Sequence, residues 1–132
     1  MPMKRYLNNG KIKYVQRFLA ELFTERDEFA VQFLSKVFHH CKMDFTPVPT
    51  IKKQAAKSIE TPITLFAAKN DLMFPGEKMI KRASAIFPSL KQTILLEDSK
   101  HVQSKADNSL IESIVIENKN QYEIQSRRND IL

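Results

Sequence analysis

Two residues thirty positions apart, Asp71 and His101, are the pair in this sequence best equipped to do chemistry together. A carboxylate held against an imidazole fixes which ring nitrogen carries the proton and stabilises the imidazolium, the supporting half of a nucleophilic triad. Each closes a polar loop, Lys69-Asn70-Asp71 or Glu97-Asp98-Ser99-Lys100-His101, that directly follows an apolar run. Taken singly, each has a plainer reading: aspartate is a common turn residue that accepts backbone hydrogen bonds, and a loop histidine is commonly just exposed. Their pairing in one topology is what favours the chemical reading. Other candidates are weaker. His39-His40-Cys41 offers three ligand types in a row, but successive helical residues point about 100° apart and do not converge on one ion, so no metal site and no cofactor are expected. Ser84, Ser99 and Ser104 lack the strand–turn–helix setting that exposes a serine nucleophile. The chain has only two glycines, Gly10 and Gly76, where average usage gives about nine. That excludes glycine-rich phosphate loops and nucleotide-binding turns.

The elements that must position Asp71 and His101 can be read from periodicity. Ile63-Thr64-Leu65-Phe66-Ala67-Ala68 is a short apolar run that predicts a strand over about 62–68, buried on both faces as in a parallel sheet. Pro75 and Gly76 introduce a helix over about 77–87 with Ile80, Ala83 and Phe87 inward, and Gln92–Leu96 predicts a second strand over about 92–97. A strand–helix–strand unit of this length makes a parallel crossover. Chemistry in open parallel sheets gathers at the carboxyl ends of the strands, where both loops fall. Asp107 or Asn108 is expected to cap a last helix carrying Ile111, Ile114 and Val115, and from Glu117 the chain turns polar and is expected to fray.

Upstream, Ile12, Val15, Leu19 and Leu22 predict an amphipathic helix over 11–23. Thr24 is expected to cap a second helix running to about Cys41, with acidic residues in its first turn and a stripe of Ala30, Phe33, Leu34, Val37 and Phe38. The short connection makes the two a helical hairpin. Phe45-Thr46-Pro47-Val48-Pro49 ends it along an extended path, and Ile51–Ser58 reads as a short helix. The phenylalanines Phe18, Phe29, Phe33 and Phe38 are expected to pack.

At 132 residues with 42% hydrophobic and 27% charged side chains, the chain is expected to fold as one domain. Its lone cysteine, Cys41, excludes an internal disulfide framework, and no apolar leader core follows Met1. A reducing, cytoplasmic setting is the expectation. The net charge of +6 sits mainly in residues 1–60, at +5, against +1 for 61–132. No compact basic cluster interleaved with aromatics accompanies it, so a solvated face rather than nucleic-acid binding is expected.

The residues from Thr61 to Pro75, an apolar strand led by proline and ending in a turn, an acid and a proline, resemble the late strand of the α/β-hydrolase superfamily. Phe87 to His101 resembles its final strand and histidine loop, and residues 11–60 are similar to lid helices and the return to the core. The resemblance implies a partial α/β-hydrolase fold: a lid-like segment over 1–60, an α/β core segment over 61–118 with parallel strands, and a polar tail over 119–132. It implies that Asp71 is the triad acid and His101 the triad base, acting on an ester or related acyl bond of a small or lipid-like substrate. The Gly-x-Ser-x-Gly nucleophile and the glycine-rich oxyanion segment are absent, and Ala68 stands where a glycine is usual. The chain therefore resembles only the C-terminal part of such an enzyme and is expected to be inactive alone. Its expected partners are a second copy, as a dimer, or the missing N-terminal half, because two parallel strands leave both sheet edges open. The alternative is a basic amphipathic interaction module that binds a protein partner or an anionic membrane through residues 11–41, and it expects no Asp71–His101 contact.

Overall fold

The computed structural model describes residues 5, 10–41, 46 and 49–129. It is mixed α/β: helices α1 (Ile12–Ala20), α2 (Glu28–His40) and α3 (Lys53–Lys57) precede strand β1 (Ile63–Ala68), helix α4 (Gly76–Ile86), strand β2 (Leu90–Leu96) and helix α5 (Lys105–Asn129). Phe45, Pro47 and Val48, expected to end the hairpin along an extended path, lie outside the described residues, as do Met1–Lys4.

β1 and β2 pair in parallel, with Ala68 opposite Leu96 and one irregularity between Ile63 and Thr64. α4 is the crossover and packs on both strands. Gly76 lets it approach: a β-carbon there would stand 2.6 Å from the Ala68 carbonyl oxygen and 2.9 Å from Leu95 Cδ1. Ala83 and Ile86 are its buried side chains, while Ile80 and Phe87 are half-buried. Burial along β1 rises toward Ala67 and Ala68 and along β2 toward Leu96. The two-sided cover expected of β1 is thus complete only at its carboxyl end. Residues Ile63 to Phe66 stay half-buried because, among the described residues, the two-stranded sheet has too little helix and no third strand to cover them.

A second core lies in the helical hairpin. Val15, Leu19 and Leu22 are buried, and Phe18, Phe23, Val31, Leu34 and Phe38 pack on them. This corrects the expected stripes. Ile12 and Phe33 face outward, and Phe29 is 82% exposed, stacked on Phe33 at 6.5 Å between ring centroids. The buried face of α2 follows Val31, Leu34, Ser35 and Phe38, spaced by three and four, and Phe33 falls on the other side of that turn. Ser35 is tolerated inside because its hydroxyl donates to the Val31 carbonyl.

Two caps also differ from expectation. α2 is capped by Asp27, whose carboxylate accepts from the Ala30 N–H at 2.8 Å, and not by Thr24. α5 is capped by Ser104, and not by Asp107 or Asn108. The Ser104 hydroxyl accepts from the Asp107 N–H at 3.0 Å, and the Asp107 carboxylate accepts from the Ser104 N–H at 3.2 Å. This is a reciprocal capping box with aspartate at its third position. α5 also continues through Glu117 to Asn129, where fraying was expected. Its polar residues hold it: Asn118 donates to Thr64 and Gln92 on the strands, and Lys119 pairs with Glu123 one turn on. Among the described residues no helix is long and apolar enough to cross a membrane.

Candidate functional site

The loops leaving the two strands continue the ladder beyond the sheet. The Lys69 N–H donates to Leu96 O at 3.0 Å, the Asn70 N–H to Ser99 O at 3.0 Å, and the Asn70 side-chain amide to Glu97 O at 3.1 Å. The Lys69 ammonium pairs with the Glu97 carboxylate. These bonds carry the parallel register past Ala68 and Leu96 and deliver Asp71 and His101 to the same sheet end. His101 Nδ1 stands 2.9 Å from Asp71 Oδ2.

Asp71 makes both its turn bonds and its contact with His101, through different oxygens. Oδ1 accepts the N–H groups of Met73 at 2.7 Å and Phe74 at 2.9 Å, the behaviour of a turn residue, and this leaves Oδ2 aimed at the imidazole. The side chain is only 9% exposed. That burial pushes its carboxyl up. The Phe74 N–H, the His101 ring and the Met73 N–H oppose it and together bring the carboxyl below the ordinary aspartate value. An ionised Asp71 is the species that orients a histidine.

A carboxylate beside Nδ1 accepts a hydrogen bond from it, so the tautomer favoured is Nδ1–H, with the lone pair on Nε2. The His101 side chain is 34% exposed, and Phe74 lies against its ring at 5.9 Å between centroids. Among the described residues no serine, threonine or cysteine bonds to the ring. What the arrangement can do is take a proton at Nε2 from an incoming hydroxyl, thiol or water while Asp71 stabilises the resulting imidazolium. Ala68 needs no glycine in its place: it keeps strand geometry, and no described non-glycine residue has a positive φ.

Two of the three candidate serines are otherwise engaged. Ser99, fully buried, donates to Asp107 Oδ2 at 3.0 Å, and the Ser104 hydroxyl donates to the same oxygen at 2.6 Å. Ser84 is exposed on α4. His39 and His40 touch edge to face at 5.1 Å, and Cys41 is exposed. Among the described residues no group of three or more histidine, cysteine, aspartate or glutamate side chains is placed to hold a metal.

Sequence reasoning missed the part of the molecule that reaches this site from furthest away. The α1–α2 connection forms a parallel bridge between Phe23 and Val102, in which the Val102 N–H donates to Leu22 O at 2.8 Å and the Thr24 N–H to Val102 O at 3.0 Å. A single bridge carries no periodicity that a sequence pattern would reveal. The Ser104 cap was missed as well, although its pattern Ser104-Lys105-Ala106-Asp107 stands in the sequence and could have found it.

Comparison of the chain with family models, with curated proteins and with solved structures finds no match.

Proposed function

We propose that this chain is the C-terminal part of an α/β-hydrolase that supplies the acid, Asp71, and the histidine, His101, of an acyl-hydrolysing triad and is inactive by itself. The observation that carries the reading is the 2.9 Å contact between two loop residues at the carboxyl ends of adjacent parallel strands. In a completed site His101 Nε2 removes the proton of a serine hydroxyl as that oxygen attacks an acyl carbon, then returns it to the leaving group, and Asp71 holds the ring. The substrate class is an ester or related acyl compound. The interaction-module reading has less support, since the apolar faces of α1 and α2 are largely spent on each other and the Asp71–His101 contact has no place in it.

The nucleophile and the oxyanion donors come from a partner segment, either the missing N-terminal half or a chain assembled with this one. The half-buried middle of β1 and the two open strand edges favour such an assembly, most simply a dimer. Light scattering at micromolar concentration is expected to report more than a monomer, and a folded monomer would remove the dimer. The test of function is an activated-ester assay on three samples: the chain, its His101→Ala variant, and the chain joined to the segment encoded upstream of Met1. The chain alone is expected to match a histidine-bearing control protein, with no change on substitution. The joined protein is expected to lose about 10⁴-fold or more in turnover on His101→Ala. An upstream reading frame without Gly-x-Ser-x-Gly, or strong His101-dependent turnover by the chain alone, overturns the proposal.

A further inference from the structure

We propose that Thr24 is a positioning residue for His101, so that the helical hairpin, and not the sheet alone, sets the tautomer of the histidine. This rests on the reading of Asp71 and His101 as an acid–base pair. The sheet delivers the two loops to one end, but it does not hold His101 itself. Ser99 is the last residue of that loop whose backbone bonds toward the β1 side, through its carbonyl to the Asn70 N–H. From there the backbone is gripped from the other half of the molecule. The Thr24 hydroxyl accepts the Lys100 N–H at 2.8 Å and donates to the Val102 carbonyl at 2.8 Å, so one oxygen ties the residue before His101 to the residue after it. These bonds join positions 76 and 78 residues apart.

The hydroxyl has one proton, and the Val102 carbonyl takes it. Ser99 likewise gives its proton to Asp107. The 3.5 Å approach of the Thr24 and Ser99 hydroxyls is therefore packing between two groups already committed elsewhere. The backbone bridge of Phe23 with Val102 orients Thr24 for this role, and its N–H adds a second bond to Val102. Valine at position 24 would keep the shape and the backbone bridge but could neither accept from Lys100 nor donate to Val102. The residue before His101 would then lose its bond and Val102 one of its two from Thr24, leaving the stretch between Ser99 and Val102 slack enough for the ring to leave Asp71.

The test is the nitrogen-15 spectrum of the His101 ring, recorded at a pH where the ring is neutral, in the wild type, Thr24→Ser and Thr24→Val. The wild type and Thr24→Ser, which keeps the hydroxyl, are expected to show the Nδ1–H form. Thr24→Val is expected to shift most of the population to Nε2–H, the form a free histidine side chain prefers. A folded Thr24→Val protein that retains Nδ1–H overturns the proposal and leaves the acid–base pair standing. A wild type that shows Nε2–H overturns both. If Thr24→Val does not fold, amide exchange in the wild type decides: the Lys100 N–H, bonded to Thr24, is expected to exchange about 100-fold more slowly than the Asp98 N–H, and equal rates overturn the proposal.

Discussion

The two ends of the small sheet are built to different standards. At the carboxyl end, Ala67, Ala68 and Leu96 are buried, Gly76 lets α4 close against the strand, and the polar atoms of Asp71, Asn70, Ser99 and Asp107 are bonded. At the amino end the register slips between Ile63 and Thr64, Lys91, Gln92 and Thr93 are exposed, and the buried Ser89 hydroxyl has no partner among the described residues. Order is concentrated where the two loops meet. A two-stranded sheet is marginal by itself, so the closeness of Asp71 to His101 depends on contacts made beyond the strands: the loop ladder, the Thr24 bridge and the capping box of α5.

The largest break in this contrast is expected from Gly76→Ala. The added methyl has no free space, because its nearest neighbours at 2.6 and 2.8 Å are backbone atoms of Ala68, which cannot move without disturbing the strand end that leads to Asp71. A destabilisation of about 3 kcal/mol is expected by denaturant unfolding, with loss of the Asp71–His101 contact. A cost below about 0.5 kcal/mol would show that α4 and β1 can separate freely.

What was legible in the sequence follows the same division. The parallel strands, the crossover helix and the meeting of Asp71 with His101 were readable because each rests on a local signal: an apolar run, a Pro-Gly start or a polar loop after a strand. Thr24 was read as a helix cap because Thr followed by acidic residues is a local capping pattern. In the structure Asp27 caps α2, and the Thr24 hydroxyl serves Lys100 and Val102 across the fold. The outward turn of Phe33 was hidden for a related reason. Phenylalanine by type belongs inside, but Ser35 could satisfy its own hydroxyl within the helix, and the buried face fell on Val31, Leu34, Ser35 and Phe38 instead.

A smaller effect is expected from Asp107→Ala, which strikes the carboxyl end through the cap of α5. It removes the acceptor of the Ser104 N–H and strands the fully buried Ser99 hydroxyl, for an expected loss of about 2–3 kcal/mol. The carboxyl of Asp107 is held below the ordinary aspartate value, first by the Ser104 hydroxyl and, against the effect of burial, by the Ser104 N–H and Ser99. A carboxyl that titrates lower when folded contributes stability that is full above its unfolded value of about 3.9 and lost as pH falls through the folded one. Asp71 is depressed in the same direction. The wild type should therefore lose stability below about pH 4, and Asp107→Ala should lose it less steeply there. Parallel curves for the two proteins would mean that folding does not lower the Asp107 carboxyl.

The smallest effect sharpens the contrast from the loose end. Ser89 opens the approach to β2; its carbonyl accepts the Ile63 N–H at 3.0 Å, but its hydroxyl is buried with no partner among the described residues. A buried hydroxyl without a bond loses its hydration and recovers nothing, so removing it relieves a penalty. Alanine keeps the carbonyl bond, since that bond uses only the backbone. Ser89→Ala is accordingly expected to leave stability unchanged or raise it by up to about 1 kcal/mol, whereas removing the equally buried but bonded hydroxyl of Ser99 is expected to lower it. Equilibrium unfolding of the two alanine variants side by side checks this. If both fall by the same amount, the Ser89 hydroxyl is as well bonded as that of Ser99, and the amino end of the sheet is as well satisfied as the end that holds Asp71 and His101.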